Sequence, residues 1–376
     1  MDKFQKLHED TVKFLISIAP GEENSRVKLS KNPFPHPISW CKPFGEWDSG
    51  RIWSLGKYCA LWRSDKVFKN ILEELFVRED GTPKLFHEIG RNIEGRRDKQ
   101  LAVGLTDYSN ARIVIVTNFP LEEMKYFEDH PLLRVFHFSK YLKTWKQIAA
   151  TCAIPAIFSE VSAMENLDYN IKDDAPFGDA ATMAYLPSSY LREESGAVQI
   201  ACSCTDLDLP RTEAYTGRGK YKWRGFYNMI ETIGYSIVVN SAHSDMAAFY
   251  EGGNKYCYQF SYNEIDTRMN TVSFELLDAK NITKAYYIGV ERGKSSIMYL
   301  TDEDKIRAHE KGIVVALSGG GTLFPAMFGF LAGMAEEAQR LHHPTTGKHM
   351  PATLRAFIGG SGGALASAYM AEFLPV

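Results

Sequence analysis

The sequence predicts an α/β fold with a mostly parallel central sheet flanked by helices. Two continuous apolar runs, Ile313–Leu317 and Leu354–Ile358, are typical of strands that are buried on both faces of a parallel sheet. Each run ends in a glycine-rich loop that is followed by a helix-like stretch, as in α/β units. The segment from Gly312 onward is too short to cover two such strands alone, so they need partner strands from elsewhere in the chain. Three further apolar runs can supply them: Leu101–Thr106, Ile113–Thr117 and Ala197–Cys202.

In chain order, the elements form four regions of a single predicted domain that spans residues 1–376. Region 1–84 is predicted as helices around a loop rich in proline and aromatic residues, and region 85–210 as strands with a helix at Ile148–Ala153. Region 211–311 is predicted as an irregular, β-rich insertion. Region 312–376 is a strand–loop–helix–strand–turn–helix unit.

The predicted insertion contains three strand candidates and one helix. The strand candidates are Tyr235–Val239, Lys255–Tyr262 and Thr271–Leu277. A charged connector, Thr301–Lys311, closes the region and is expected to be a solvated helix.

The second glycine-rich segment has the pattern of a nucleophile elbow. Gly359, Ser361 and Gly363 fit G-x-S-x-G, in which a serine occupies a sharp turn between a strand and a helix. The helix-like run Ala364–Glu372 would direct the positive end of its dipole at the serine. A lone G-x-S-x-G is common by chance. The flanking strand, the helix and the upstream glycine loop together indicate acyl chemistry at Ser361.

The upstream loop, Gly319-Gly320-Gly321, follows the other strand and precedes a helix-like stretch from about Phe324 to Arg340. Successive backbone N–H groups without side chains can cradle an anion, here the oxyanion of a tetrahedral intermediate. A tight turn that needs positive φ is the alternative. A nucleotide-binding phosphate loop is a weaker one, because the Gly-Lys-Ser/Thr ending of such loops is absent.

Together, Leu-Ser-Gly-Gly-Gly and Gly-Gly-Ser-Gly-Gly resemble the catalytic core of patatin-like and cytosolic phospholipase A2-type lipid acyl hydrolases. The resemblance implies a Ser–Asp dyad without histidine, with Ser361 as nucleophile, and an acyl-enzyme intermediate. It implies no metal or organic cofactor. It places the oxyanion hole at the backbone N–H groups of Gly319, Gly320, Gly321 and Gly362.

The family's Asp motif resembles a segment upstream of the elbow. Trp145–Val161 is similar to the family's Ala-Ser-x-Ala-Ile-Pro segment, and Phe177–Pro187 matches its Asp-Gly-Gly motif in spacing, which puts Asp179 in the position of the base. Three residues depart from the motif: Ala180 and Ala181 replace glycines, and Tyr185 stands where Asn is usual. The fallback candidates for the base are Asp173 and Asp174.

The order of these segments is the reverse of the family's order, in which the Asp motif follows the elbow. Either the chain is a circular permutant, with Leu374 and Met1 close together, or it is a window across two tandem domains. The need of the two C-terminal strands for partner strands favours the permutant.

Two alternatives to a Ser–Asp hydrolase remain open. The replacements at Ala180, Ala181 and Tyr185 suggest a catalytically inactive family member that acts as a lipid-binding or interaction module. His243 is the residue to test if a Ser-His-Asp triad operates instead.

Composition sets the expected surroundings. The net charge of −3 gives no pull toward nucleic acid, and no apolar run is long enough to span a bilayer. The six cysteines have no disulfide-framework spacing, so a reducing, cytoplasmic location is expected, with peripheral contact to membranes left open. The expected partner is a lipid ester at a membrane or micelle surface. The sequence leaves the oligomeric state open.

Overall fold

The fold is described from a computed structural model that covers residues 3–22, 24–27, 63–91, 99–127, 134–154, 158–161, 176–204, 241–266 and 276–375. The helices are α1 (Lys3–Ser17), α2 (Ser64–Leu75), α3 (Thr144–Thr151), α4 (which includes residues 241–251), α5 (Ala279–Met298), α6 (Asp302–Lys311), α7 (Phe324–Ala338) and α8 (Gly362–Phe373). The strands are β1 (Gln100–Asp107), β2 (Arg112–Thr117), β3 (Arg134–His137), β4 (Phe177–Gly178), β5 (Val198–Ser203), β6 (Tyr256–Gln259), β7 (Ile313–Leu317) and β8 (Leu354–Gly359).

These strands form one eight-stranded sheet in the order β3-β2-β1-β8-β7-β5-β6, with β4 paired to β1. Among the described strands, β1 pairs antiparallel with β2 and with β4, and every other neighbouring pair is parallel. The two strands that end in glycine-rich loops, β7 and β8, are neighbours, and the three predicted partner strands flank them. The predicted α/β class with a mostly parallel central sheet is confirmed.

Side chains from alternate positions of each strand cover the two faces of the sheet, which gives two apolar cores. On one face, Val103, Val315 and Phe357 pack against α1, α3, α5, α7 and α8. The other face carries smaller residues, such as Ala102 and Ala316, and is covered by the turns of residues 180–195 and by Phe249 of α4. The larger helical layer lies on the face over which Ser361 and α8 are placed.

Helices α5 and α7 cross at unusually short range because each presents glycines to the other. A Cβ added at Gly289 would lie 2.0 Å from the carbonyl oxygen of Ala326, and one at Gly329 would lie 1.9 Å from that of Tyr286. The two backbones therefore touch directly, and this contact fixes α5 on the helix that follows the glycine triplet.

The prediction of a β-rich insertion at 211–311 is wrong for the part of that region that the structure describes. Helices α4, α5 and α6 occupy most of it, and its one described strand is the four-residue β6, inside the predicted Lys255–Tyr262. Buried residues of α5 recur at helical spacing, and the Asp278 side chain caps the helix by accepting from the Asn281 amide. The helix expected within Thr301–Lys311 is confirmed as α6.

Some expected features lie outside the described residues. Tyr235–Val239, the aromatic loop at 32–47 and nearly all of the strand candidate 271–277 belong to this group.

The N-terminal helix α1 packs on the helix after Ser361, with the rings of Phe14 and Tyr369 stacked at 5.3 Å. The permuted segment order itself stays a prediction. Over the described ranges, no helix has both the length and the apolar character of a membrane span.

Candidate active site

Ser361 occupies a strained turn between β8 and α8. Its φ and ψ are +50° and −127°, a conformation that a residue with a side chain adopts only where the surroundings enforce it. The flanking glycines allow the turn, since a Cβ at Gly359 would lie 2.5 Å from the carbonyl group of Gly363. At Gly363 a Cβ would lie 2.3 Å from the Ser318 carbonyl oxygen. The elbow geometry expected from G-x-S-x-G is present.

The sheet brings Asp179 to this turn through the length of β1. Only the first half of β1 pairs with β8, from Gln100 to Val103, and its far end extends beyond β8 to pair with the short strand β4. Asp179 follows β4 directly. The hydroxyl of Thr106, on the extended end of β1, donates to the carbonyl oxygen of Asp179 at 2.8 Å. Asp179 is therefore held above the carboxyl end of β8.

The two predicted dyad residues are in hydrogen-bond contact. The Ser361 hydroxyl donates to Oδ2 of Asp179 at 2.7 Å, although the residues are 182 positions apart in sequence. Both side chains are buried. The other carboxylate oxygen, Oδ1, accepts from the Ala181 amide at 2.8 Å.

Burial sets the electrostatics of the pair. Desolvation raises the pKa of Asp179 to about 6, against the opposing effect of the hydrogen bonds from Ser361 and from the Ala181 amide. A carboxylate with this pKa is ionised at neutral pH and has a higher proton affinity than an exposed Asp, as a general base requires. Ser361 is at the N-terminus of α8, where the helix dipole favours negative charge.

Ala180, which replaces a motif glycine, is accommodated next to Asp179. The Ala180 methyl lies against two glycines: a Cβ at Gly104 would come within 3.3 Å of it, and one at Gly360 within 2.9 Å. The space of two absent side chains thus accommodates the extra methyl group. The departure at Ala180 is compatible with the observed dyad.

The glycine triplet supplies fewer amides than the sequence predicted. The N–H of Gly319 already donates to the Tyr185 carbonyl oxygen at 2.9 Å, so the expectation of an oxyanion donor at Gly319 is wrong. Within the described residues, the N–H groups of Gly320, Gly321 and Gly362 donate to no acceptor. A Cβ at Gly362 would lie 3.7 Å from the Gly320 nitrogen, which places the loop beside the elbow. These three amides can still bind an oxyanion.

An apolar cavity opens beside the serine. Ser361, Gly321 and Gly362 line one part of it, and the rest of its described lining is apolar. Helix α1 contributes Phe14 and α2 contributes Val67. The sequence did not identify these lining residues, because their helical periodicity is that of ordinary core-facing helices.

One backbone contact of Ser361 was not predicted from any sequence motif. The Ser361 amide donates to the Thr151 hydroxyl oxygen at 2.9 Å, from 210 positions away in sequence. By contrast, the alternative triad residue His243 is exposed on α4. The fallback bases Asp173 and Asp174 lie outside the described residues. In the described part of the chain, no three His, Cys, Asp or Glu side chains are grouped to hold a metal ion.

The comparisons with known proteins add nothing to this geometry. No protein-family model matches the chain, and no curated protein and no solved structure gives a match. The arrangement of Ser361, Asp179, three unpaired amides and an apolar cavity is therefore the basis for a functional proposal.

Proposed function

We propose that the protein is a lipid acyl hydrolase, similar to phospholipase A2 and lysophospholipase enzymes of the patatin-like type. The observation that carries the proposal is the 2.7 Å hydrogen bond from the hydroxyl of Ser361, in its strained turn, to the buried Asp179. A nucleophile within hydrogen-bond reach of a base, at a helix N-terminus, is the arrangement that acyl transfer needs.

In the proposed reaction, Ser361 Oγ attacks the ester carbonyl carbon while its proton passes to Oδ2 of Asp179. The carbonyl oxygen becomes an oxyanion that accepts hydrogen bonds from the amides of Gly320, Gly321 and Gly362. Protonated Asp179 then gives its proton to the departing alkoxide, which leaves as an alcohol. Water, deprotonated by Asp179, attacks the acyl-serine, and collapse of the second tetrahedral intermediate releases the carboxylic acid. The proton returns to Ser361, and no cofactor takes part in these steps.

The cavity supports a lipid as the substrate class. Its described lining is apolar apart from Ser361, so an acyl chain attached to the reacting carbonyl can be buried there. We place the enzyme in the cytoplasm, at the surface of the membranes or micelles that carry its substrate. The cysteines of the described residues are free thiols, which suits a reducing compartment.

Labelling with a serine-directed fluorophosphonate, combined with a long-chain ester assay, tests the proposal. We expect covalent capture at Ser361, loss of labelling in Ser361→Ala, and a fall in turnover of about 10²- to 10⁴-fold in Asp179→Asn. Ser367→Ala is the matched control, because Ser367 is a buried serine of the same helix α8.

The same assay decides between the enzyme and an inactive lipid-binding module. Absence of labelling and turnover in the wild type, together with retention of a bound fatty acid, would favour the module. Turnover that survives in Asp179→Asn would show that the dyad is not the catalytic unit.

A further inference from the structure

The C-terminal end of α3 contacts both members of the dyad. The hydroxyl oxygen of Thr151, the last residue of the helix, accepts from the Ser361 amide at 2.9 Å. Two residues later, the Ala153 carbonyl oxygen accepts from the Asp179 amide at 3.2 Å. One short segment thus binds the backbone of the nucleophile and the backbone of the base.

The contact with Ser361 satisfies a group that the elbow would otherwise leave unpaired. The Ser361 amide is buried, and a buried N–H without an acceptor is strongly disfavoured. The turn itself is strained, so its conformation depends on the contacts around it. Thr151 has no exposed surface, and its side chain is a fixed acceptor at that point.

The ends of two helices meet at the dyad with opposite polarity. Helix α3 turns its C-terminal, partly negative end toward Asp179, and α8 begins at Ser361 with its partly positive end. Both partial charges favour transfer of the proton from the serine to the carboxylate. The negative end of α3 stabilises a protonated Asp179, and the positive end of α8 stabilises the negative charge that remains on the serine oxygen. The C-terminal end of α3 therefore holds the backbones of Ser361 and Asp179 in place, and its partial negative charge favours the protonated state of Asp179.

We propose that Thr151 is a positioning residue, which holds the Ser361 backbone so that its hydroxyl points at Asp179. The inference rests on the proposed function, since it concerns the same dyad. Thr151 acts through the Ser361 amide. The expected consequence of its loss is a slower acylation step with unchanged binding of the substrate.

Three variants test this role. Thr151→Val keeps the shape of the side chain and removes the acceptor, whereas Thr151→Ser keeps the acceptor. Thr144→Val is the matched control, because Thr144 is a buried threonine at the other end of α3 whose hydroxyl donates to the Lys84 carbonyl oxygen at 2.8 Å. We expect Thr151→Val to lower kcat and the fluorophosphonate labelling rate by about 10- to 100-fold, with KM unchanged, since small misplacements of reacting groups have effects of this size.

Thr151→Ser should restore the wild-type rates, and Thr144→Val should leave them unchanged. Wild-type rates in Thr151→Val, or an equal loss in Thr144→Val, would overturn the inference. If Thr151→Val does not fold, Thr151→Ala replaces it with the same expected and contrary results.

Hydrogen exchange at the Ser361 amide separates this inference from the proposed function. Thr151→Val should accelerate exchange of that amide, and Thr151→Ser should not, whether or not the protein hydrolyses esters. Unchanged exchange in Thr151→Val would refute the positioning role even in an active enzyme. A wild type that is neither labelled nor active would refute the proposed function instead.

Discussion

Replacement of Asp179 by Asn should stabilise the fold at neutral pH while it removes activity. Burial raises the pKa of Asp179 from 3.8 to about 6, which means that the folded state binds the proton more tightly than the unfolded chain does. Above pH 6 the folded protein therefore holds an unfavourable buried charge. Asn has nearly the same shape and carries no charge, so the variant avoids this desolvation.

The size of the effect follows from the two pKa values. A shift of about 2 pKa units corresponds to about 3 kcal/mol in the free energy of unfolding, at 1.36 kcal/mol per unit. Below the unfolded pKa, both states are protonated and the charge makes no difference. As pH rises from the unfolded pKa to the folded pKa, ionisation of Asp179 lowers the free energy of unfolding of the wild type. About half of this loss has occurred at pH 5, and all of it once the pH is above the folded pKa. The advantage of Asp179→Asn should therefore grow from about 1.5 kcal/mol at pH 5 to about 3 kcal/mol at pH 8.

Urea unfolding of wild type and variant at pH 5 and pH 8 measures this difference. Asp107→Asn is the matched control, because Asp107 is also a fully buried carboxylate but pairs with Arg112 at 3.1 Å. Its removal leaves Arg112 without this partner and should destabilise the fold. An Asp179→Asn protein that is less stable than the wild type at pH 8, or whose advantage does not change with pH, would refute the reasoning.

Three further predictions concern the pH profile, the helix crossing and the cavity. Because Asp179 must be ionised to accept the serine proton, kcat/KM should rise with pH through about 6, and a flat profile from about pH 5 to 8 would contradict this role. Gly289→Ala should lower the free energy of unfolding by about 1–3 kcal/mol or more, because its Cβ would lie 2.0 Å from the Ala326 oxygen. Urea unfolding checks it, and Glu291→Ala, at an exposed position of the same helix, should have little effect. Val67→Trp should slow hydrolysis of long-chain esters while sparing acetyl esters, because Val67 lines the cavity, and equal loss on both would place the acyl chain elsewhere.

The strands and the elbow could be predicted because their signals are local. A continuous apolar run such as Ile313–Leu317 needs burial on both faces, wherever its neighbours come from. Gly359 and Gly363 indicate a turn in which a strand and a helix pass very close to each other, and a single short segment contains all of that information. The position of Asp179 was inferred from motif spacing and resemblance, and the hydrogen bond to Ser361 agrees with it.

In region 211–311 the sequence analysis missed α4 and α5, which lie between and after its strand candidates. Gly289 and Gly293, four residues apart, were a signal of a helix that approaches another helix closely. Their partners Gly329 and Gly333 lie on a separate element, so the pairing was visible only after folding.

By itself, the sequence determined the α/β class, the five strands β1, β2, β5, β7 and β8 of the central sheet, and the serine turn, since these depend on the apolar pattern and on local sterics. Tertiary structure alone decided which groups meet at that turn. In the folded chain the Gly319 amide donates to the Tyr185 carbonyl oxygen, and the Ser361 amide donates to the hydroxyl oxygen of Thr151, 210 positions away in sequence. Tertiary structure also buried Asp179, and burial is what raises its pKa. A hydrogen bond and a desolvated charge both depend on neighbours that only the packed chain assembles.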